Sequence, residues 1–262
     1  MIPYYVVDAF ADKPFEGNPA GVCVLDEWLD DDLMQQIAAE NRLSETAFVV
    51  RRAPGSYLLR WFTPVSEIDL CGHATFGTSY VLFRFYEPDA MTLHFHAPYK
   101  GYDLTCTRQG DRIQMAFPRI APEPFALEQS MADAVGAMPS EVLATESDLV
   151  LVFDDENTVN NMQPDLDKIE AIEHGLSVYV TAPSVEWDYV ARAFWPKIGI
   201  PEDPVCGSMQ SALVPYWGER LGKRKLICRQ TSERGGTVWC EDTGDTVLIS
   251  GTGALYLQGH IL

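Results

Sequence analysis

Two stretches about 130 residues apart carry the same landmarks in the same order, and this duplication limits the folds open to the chain more than any other feature. Leu43-Ser44 follows the amphipathic run Leu33–Arg42 and precedes the apolar Ala47-Phe48-Val49-Val50; Leu176-Ser177 follows Leu166–Gly175 and precedes Val178-Tyr179-Val180. Each is read as a helix followed by a strand, and Asp30–Asp32 and Pro164-Asp165 supply acidic helix starts. Arg60-Trp61-Phe62-Thr63-Pro64 is echoed by Arg192-Ala193-Phe194-Trp195-Pro196, and Glu67-Ile68-Asp69-Leu70-Cys71-Gly72-His73 by Glu202-Asp203-Pro204-Val205-Cys206-Gly207-Ser208. The expected fold is therefore α/β (α+β): two pseudo-symmetric lobes, each a set of short strands in a mixed sheet around a buried helix. The proline-rich Phe117–Pro124 is the natural boundary. Lobes at 1–118 and 119–251 are predicted, with a C-terminal strand near 252–262 completing the first. A closing hairpin is expected from Thr246–Ser250 and Ala254–Gln258, turned at Gly251-Thr252-Gly253.

Charge excludes several partners. The chain has 262 residues, with 38 Asp and Glu against 19 Lys and Arg, a formal net charge of −19. Such a field repels phosphate backbones and anionic membranes, so no nucleic acid or membrane partner is expected. The runs without a charged residue, Leu70–Phe83, Pro204–Gly218 and Thr246–Leu262, are all shorter than the roughly 18–20 residues a membrane span needs. No basic segment leads into an apolar one near Met1, and six cysteines without Cys-x-x-Cys spacing are no disulfide scaffold. A cytoplasmic setting follows. His94 and His96 share one strand face without a third ligand nearby, so no metal site is expected.

Chemistry concentrates where the two Cys-Gly pairs open uncharged helices. His73–Phe83 contains no Asp, Glu, Lys or Arg, which places its helix inside a lobe; the second, Ser208–Pro215, should end or kink at Pro215. Glycine permits close backbone approach, and first-turn amides at the positive end of the helix dipole favour an anion. Two such ends predict a carboxylate-binding or oxyanion-stabilising cleft between the lobes. Matching Leu-Ser to Leu-Ser sets Glu45 against Val178, and the Cys-Gly pairs set His73 against Ser208. Glu45 is the anomaly on its strand. Buried, its pKa is expected to rise toward neutrality and suit proton transfer; exposed, it would be a solvated Glu or a partner for Arg42.

Gly17-Asn18-Pro19-Ala20, Ser44-Glu45-Thr46, Trp61-Phe62-Thr63-Pro64, Asp69-Leu70-Cys71-Gly72-His73-Ala74-Thr75 and Glu202-Asp203-Pro204-Val205-Cys206-Gly207-Ser208 together resemble the PhzF-type phenazine-biosynthesis isomerase family over essentially the whole chain. That resemblance implies a diaminopimelate epimerase-like fold, a homodimer and cofactor-free proton relocation on a small carboxylic acid. By position it implies Glu45 as general acid/base, with His73 and Asp203 as the other catalytic residues, orienting the substrate and stabilising charge. Asn18, Gly72, Gly207 and Ser208 are then substrate-binding. Cys206 stands where threonine is common in the phenazine enzyme. With Cys71 it opens an alternative, a two-thiol amino-acid racemase or epimerase, if each thiol at its helix start has a depressed pKa. A non-catalytic small-molecule-binding protein is the third reading.

Overall fold

The computed structural model describes residues 1–262 and separates into two compact units, Met1–Ala116 with Ser250–Leu262, and Phe117–Ile249. The first runs β1 (Ile2–Ala9), β2 (Asn18–Leu25), α1 (Asp31–Asn41), β3 (Glu45–Ala53), β4 (Ser56–Phe62), β5 (Glu67–Ile68), α2 (Gly72–Val81), β6 (Thr92–Ala97), β7 (Tyr102–Gln109) and β8 (Arg112–Pro118). The second runs β9 (Glu123–Pro124), α3 (Gln129–Val135), β10 (Glu141–Ala144), β11 (Asp148–Val152), α4 (Glu156–Asn160), α5 (Leu166–Ala171), β12 (Ser177–Pro183), β13 (Tyr189–Trp195), β14 (Ile200–Asp203), α6 (Gln210–Leu221), β15 (Lys225–Gln230), β16 (Gly236–Asp242) and β17 (Thr246–Gly251). The last strand, β18 (Gly253–Ile261), pairs antiparallel with β1 from Ile2↔Ile261 to Ala9↔Gly253 and so belongs to the first unit.

Within each unit the ladder is the same. β2 pairs parallel with β3, β3 antiparallel with β4, β4 antiparallel with β5 and parallel with β6. In the second unit β11 pairs parallel with β12, β12 antiparallel with β13, β13 antiparallel with β14 and parallel with β15. The parallel pairings are bridged by helices, as a parallel crossover requires. Acidic N-caps start them as expected: Asp30 accepts from the Asp32 amide at 3.0 Å and Asp165 from the Lys168 amide at 3.2 Å.

Strand register corrects one correspondence. Thr46 lies opposite Phe62, and Val178 opposite Phe194, so the counterpart of Glu45 is Ser177 rather than Val178. The lead-in turns differ: Arg42 adopts φ 52° at the end of α1, whereas Gly175 at φ 75° precedes β12. Matching the Leu-Ser pairs therefore slips one residue, which in a strand means the opposite face.

α2 packs on β1, β2 and β3, and eight of its ten residues are buried. Its hydroxyls are satisfied along the helix: Thr75 Oγ1 donates to Cys71 O (2.6 Å), Thr78 Oγ1 to Ala74 O (2.8 Å) and Ser79 Oγ to Thr75 O (2.8 Å). Gly77 sets the close approach, since a Cβ there would lie 3.2 Å from the Ala20 Cβ. The helix then passes into a π turn, Leu82–Tyr86.

Pro215 does not end its helix. α6 runs through it from Gln210 to Leu221, because the carbonyl its missing N–H would orphan, that of Ser211, accepts instead from the Ile120 amide at 3.0 Å. No helix is long and apolar enough to cross a membrane.

Gly17 fixes the entry to β2. It has φ +66°, and a Cβ there would sit 2.1 Å from the Ala9 carbonyl oxygen. Because backbone cannot yield as a side chain can, Gly17→Ala is expected to cost about 2–4 kcal/mol of unfolding free energy in denaturant titration. A loss below about 0.5 kcal/mol would refute this account of the turn.

Candidate functional site

Three of the residues singled out from the sequence meet in the first unit. Glu45 is the first residue of β3, its backbone paired with Ala20 on β2. Cys71 caps α2 in extended conformation, and His73 stands in its first turn. All three are at least nine-tenths buried. His73 bridges the others: its Nδ1 lies 3.5 Å from Cys71 Sγ and its Nε2 3.0 Å from Glu45 Oε2. The second contact is short but badly angled, so neither Glu45 Oε2 nor His73 Nε2 has an aligned hydrogen-bond partner. Buried polar atoms left in that condition are costly in a finished core. Asn18, also buried, begins β2 two residues before Ala20 and therefore on Ala20's face of the strand.

The charge state differs from the sequence expectation. Burial does push the Glu45 carboxyl upward, but the charge of His73 and the closeness of the His73 and Cys71 polar groups outweigh it, and its pKa falls below the ordinary value. Burial opposes a charge on His73 in turn; Cys71 and Glu45 overcome it and raise the imidazole's pKa well above the usual. The Cys71 thiol is itself pushed up, by burial first and then by Glu45. Glu45 and His73 thus each favour the other's charged form. Sequence reasoning missed this because the compensating charge comes from a residue 28 positions further along.

In the second unit, Cys206 Sγ lies 3.3 Å from Ser208 Oγ and also meets Asp203. Burial and then Asp203 raise this thiol's pKa well above the ordinary value. Neither thiol is shifted downward, the direction the two-thiol alternative supposes; burial comes first among the causes at both. Gly207 is buried, but Gly207 to Met209 form a turn and the helix begins only at Gln210.

Two devices that hold these turns went unassigned in the sequence. Arg60 grips Glu67 with both ends of its fork, Nε to Oε1 and Nη2 to Oε2, each at 2.7 Å. Arg192 repeats the grip on Glu202 at 2.7 and 2.9 Å. Each clamp ties a long strand to the short one that leads into a Cys-Gly pair. The echo of Arg60 and Glu67 was legible; only coordinates show that each Arg bonds its own Glu. Gln230, fully buried, accepts from the Cys206 amide at 2.8 Å and donates to the Asp203 carbonyl at 2.5 Å. No sequence signal marked it.

Elsewhere, His94 Nδ1 lies 3.3 Å from Thr105 Oγ1 and His96 Nδ1 2.8 Å from Asp103 Oδ1, both exposed strand contacts. Donor atoms of Glu45, Cys71 and His73 all lie within 4.8 Å of one another, one ligand atom from each.

A sequence profile of the family described as phenazine biosynthesis-like protein matches residues 7–259. An uncharacterized isomerase of Pseudomonas aeruginosa is 47% identical over 257 residues, 98% of this chain and 97% of that protein. The crystal structure of a PhzF-family phenazine biosynthesis protein from Enterococcus faecalis superposes with a TM-score of 0.96 at 45% identity, covering 100% and 99% of the two chains. A probable proline racemase from Agrobacterium radiobacter, 10% identical, shares the fold with a TM-score of 0.60 over 100% of this chain and 93% of its own.

Gln230→Leu keeps the volume and removes both polar atoms, orphaning a buried amide and a carbonyl. It is expected to lower unfolding free energy by about 2–4 kcal/mol in urea titration. A change under about 0.5 kcal/mol would contradict the bridging role.

Proposed function

Because the chain belongs to the phenazine biosynthesis-like family, we propose that it is an isomerase that moves a proton between carbons of a small carboxylic acid without a cofactor, Glu45 acting as the acid and base. The observation that carries this reading is the buried Glu45–His73 contact with its two unaligned polar atoms. An ionised carboxylate accepts a carbon-bound proton, and an adjacent imidazolium stabilises the charge that the departing proton leaves behind.

Any carboxylate is a weak base, so the proton removed belongs to a carbon whose anion is delocalised into a conjugated ring or carbonyl. The returning proton comes from the same carboxyl group. Gly72 and His73 supply first-turn amides at the positive end of α2, where a substrate carboxylate is stabilised. By the motifs they stand in, Asp203 is assigned with His73 to orienting the substrate and stabilising charge, and Gly207 and Ser208, with Asn18, to substrate binding. The homodimer belongs to the same proposal.

Glu45→Gln removes the titrating oxygen with little change in shape. Assayed as solvent-deuterium incorporation into a panel of cyclic and aromatic carboxylic acids, it is expected to lower exchange by about 10²–10⁴. Undiminished exchange would remove Glu45 from the mechanism. Wild-type binding without exchange across the whole panel would favour a non-catalytic binding protein.

A further inference from the structure

The far end of α2 carries a cavity that the proposed reaction does not use. We propose that this cavity, lined by Arg84, Arg108 and Arg112, binds a compact phosphate-class dianion: orthophosphate or the phosphate group of a small phosphomonoester. Its volume is about 250 Å³, and it is shared by Tyr80 of α2, Phe83 and Arg84 of the π turn, Arg108 of β7, Asp111 of the following turn and Arg112 of β8. All of these residues belong to the first unit. Tyr80 stands seven residues beyond His73 in the same helix, roughly 10 Å at 1.5 Å per residue, so the cavity is separate from the Glu45–His73 pair. Ligand sites for larger organic molecules run to roughly 300–1,000 Å³. The smaller space here suits a compact anion.

What marks the cavity is cationic charge without carboxylate partners, in a chain where acidic side chains outnumber Lys and Arg 38 to 19. Arg51, Arg60, Arg119, Arg192 and Arg220 each pair with an aspartate or a glutamate. Arg84 and Arg108 instead donate only to neutral oxygens. Arg84 Nη1 donates to Tyr80 Oη at 2.8 Å, and Arg108 Nη1 and Nη2 donate to the Pro88 and Phe83 carbonyls at 3.0 and 2.8 Å. These bonds hold the two forks in place, and most of the five N–H groups of each guanidinium stay available. The carbonyl end of the helix offsets only about half an elementary charge, and Asp111 is the one carboxylate in the lining. Three guanidiniums therefore leave a surplus of about 1.5 positive charges. A phosphate dianion answers that surplus and brings three strong acceptor oxygens to three forks, which a flat monoanionic carboxylate does not.

Calorimetric titration of the whole chain with phosphate, slightly above neutral pH and against chloride at matched ionic strength, tests the site. The wild type is expected to bind one equivalent saturably. Arg84→Gln and Arg108→Gln should each weaken binding about tenfold or more, whereas Arg220→Gln and His73→Gln should leave it unchanged. In the unaltered chain, where no variant has to fold, phosphate should slow the modification of Arg84 by phenylglyoxal relative to that of Arg220, as mapped by mass spectrometry. Glycerol phosphate that binds as phosphate does assigns a monoester; phosphate binding alone assigns the free ion. A wild type with no saturable binding below roughly 10 mM phosphate overturns the proposal, as does binding that both arginine variants retain. Loss of binding in His73→Gln with retention in the arginine variants places the anion at the opposite end of α2 and overturns it too. Succinate bound as tightly as phosphate refutes the phosphate assignment. None of these outcomes depends on proton transfer at Glu45.

Discussion

One buried contact governs the first unit: the carboxylate of Glu45 against the imidazolium of His73. Taken alone, each charge would be expensive in a core, and each would shed or gain a proton to avoid it. Side by side, each favours the other's charged form against the cost of burial. The geometry leaves the pair incompletely satisfied, and that residual valence separates a reactive site from a structural salt bridge. Ordinary structural solutions appear elsewhere in the same chain, where Arg60 and Arg192 each saturate a glutamate with parallel hydrogen bonds.

Duplication explains how such a pair arose beside a stable scaffold. Both units keep the ladder of strands, the Arg–Glu clamp and the Cys-Gly pair. They part at the rung where Glu45 faces Ala20 and Ser177 faces Asp148. In the second unit the carboxylate has moved to the neighbouring strand and is fully occupied: Asp148 accepts from Ser177, Tyr179, Thr145 and Ser147. No acceptor is left over there. One half supplies a closed polar network, the other an open one, from a common backbone.

The repeat was readable because it is carried by residues with few substitutes: a forked cation, its glutamate, a thiol and a glycine in the same order in both halves. Helix starts were readable from Asp30 and Asp165, whose capping is local chemistry. What failed to read was non-local. Pro215 looked like a stop because Ile120, which satisfies the orphaned carbonyl, lies far off in the chain. The direction of the Glu45 shift was misjudged because burial is visible in an apolar strand pattern while the opposing charge arrives from another element. The one-residue slip that set Glu45 against Val178 came from counting through turns of unequal geometry, where only hydrogen-bond register decides.

The ionisation of Glu45 is the claim on which the chemistry stands, and infrared difference spectroscopy between the wild type and Glu45→Gln, near neutral pH, observes it directly. The wild type should contribute the paired stretching bands of a carboxylate, with no protonated carbonyl band assignable to this residue. A carboxylic acid band in the wild type that is missing from the variant would mean that burial prevails over His73, and the account of this site would be wrong.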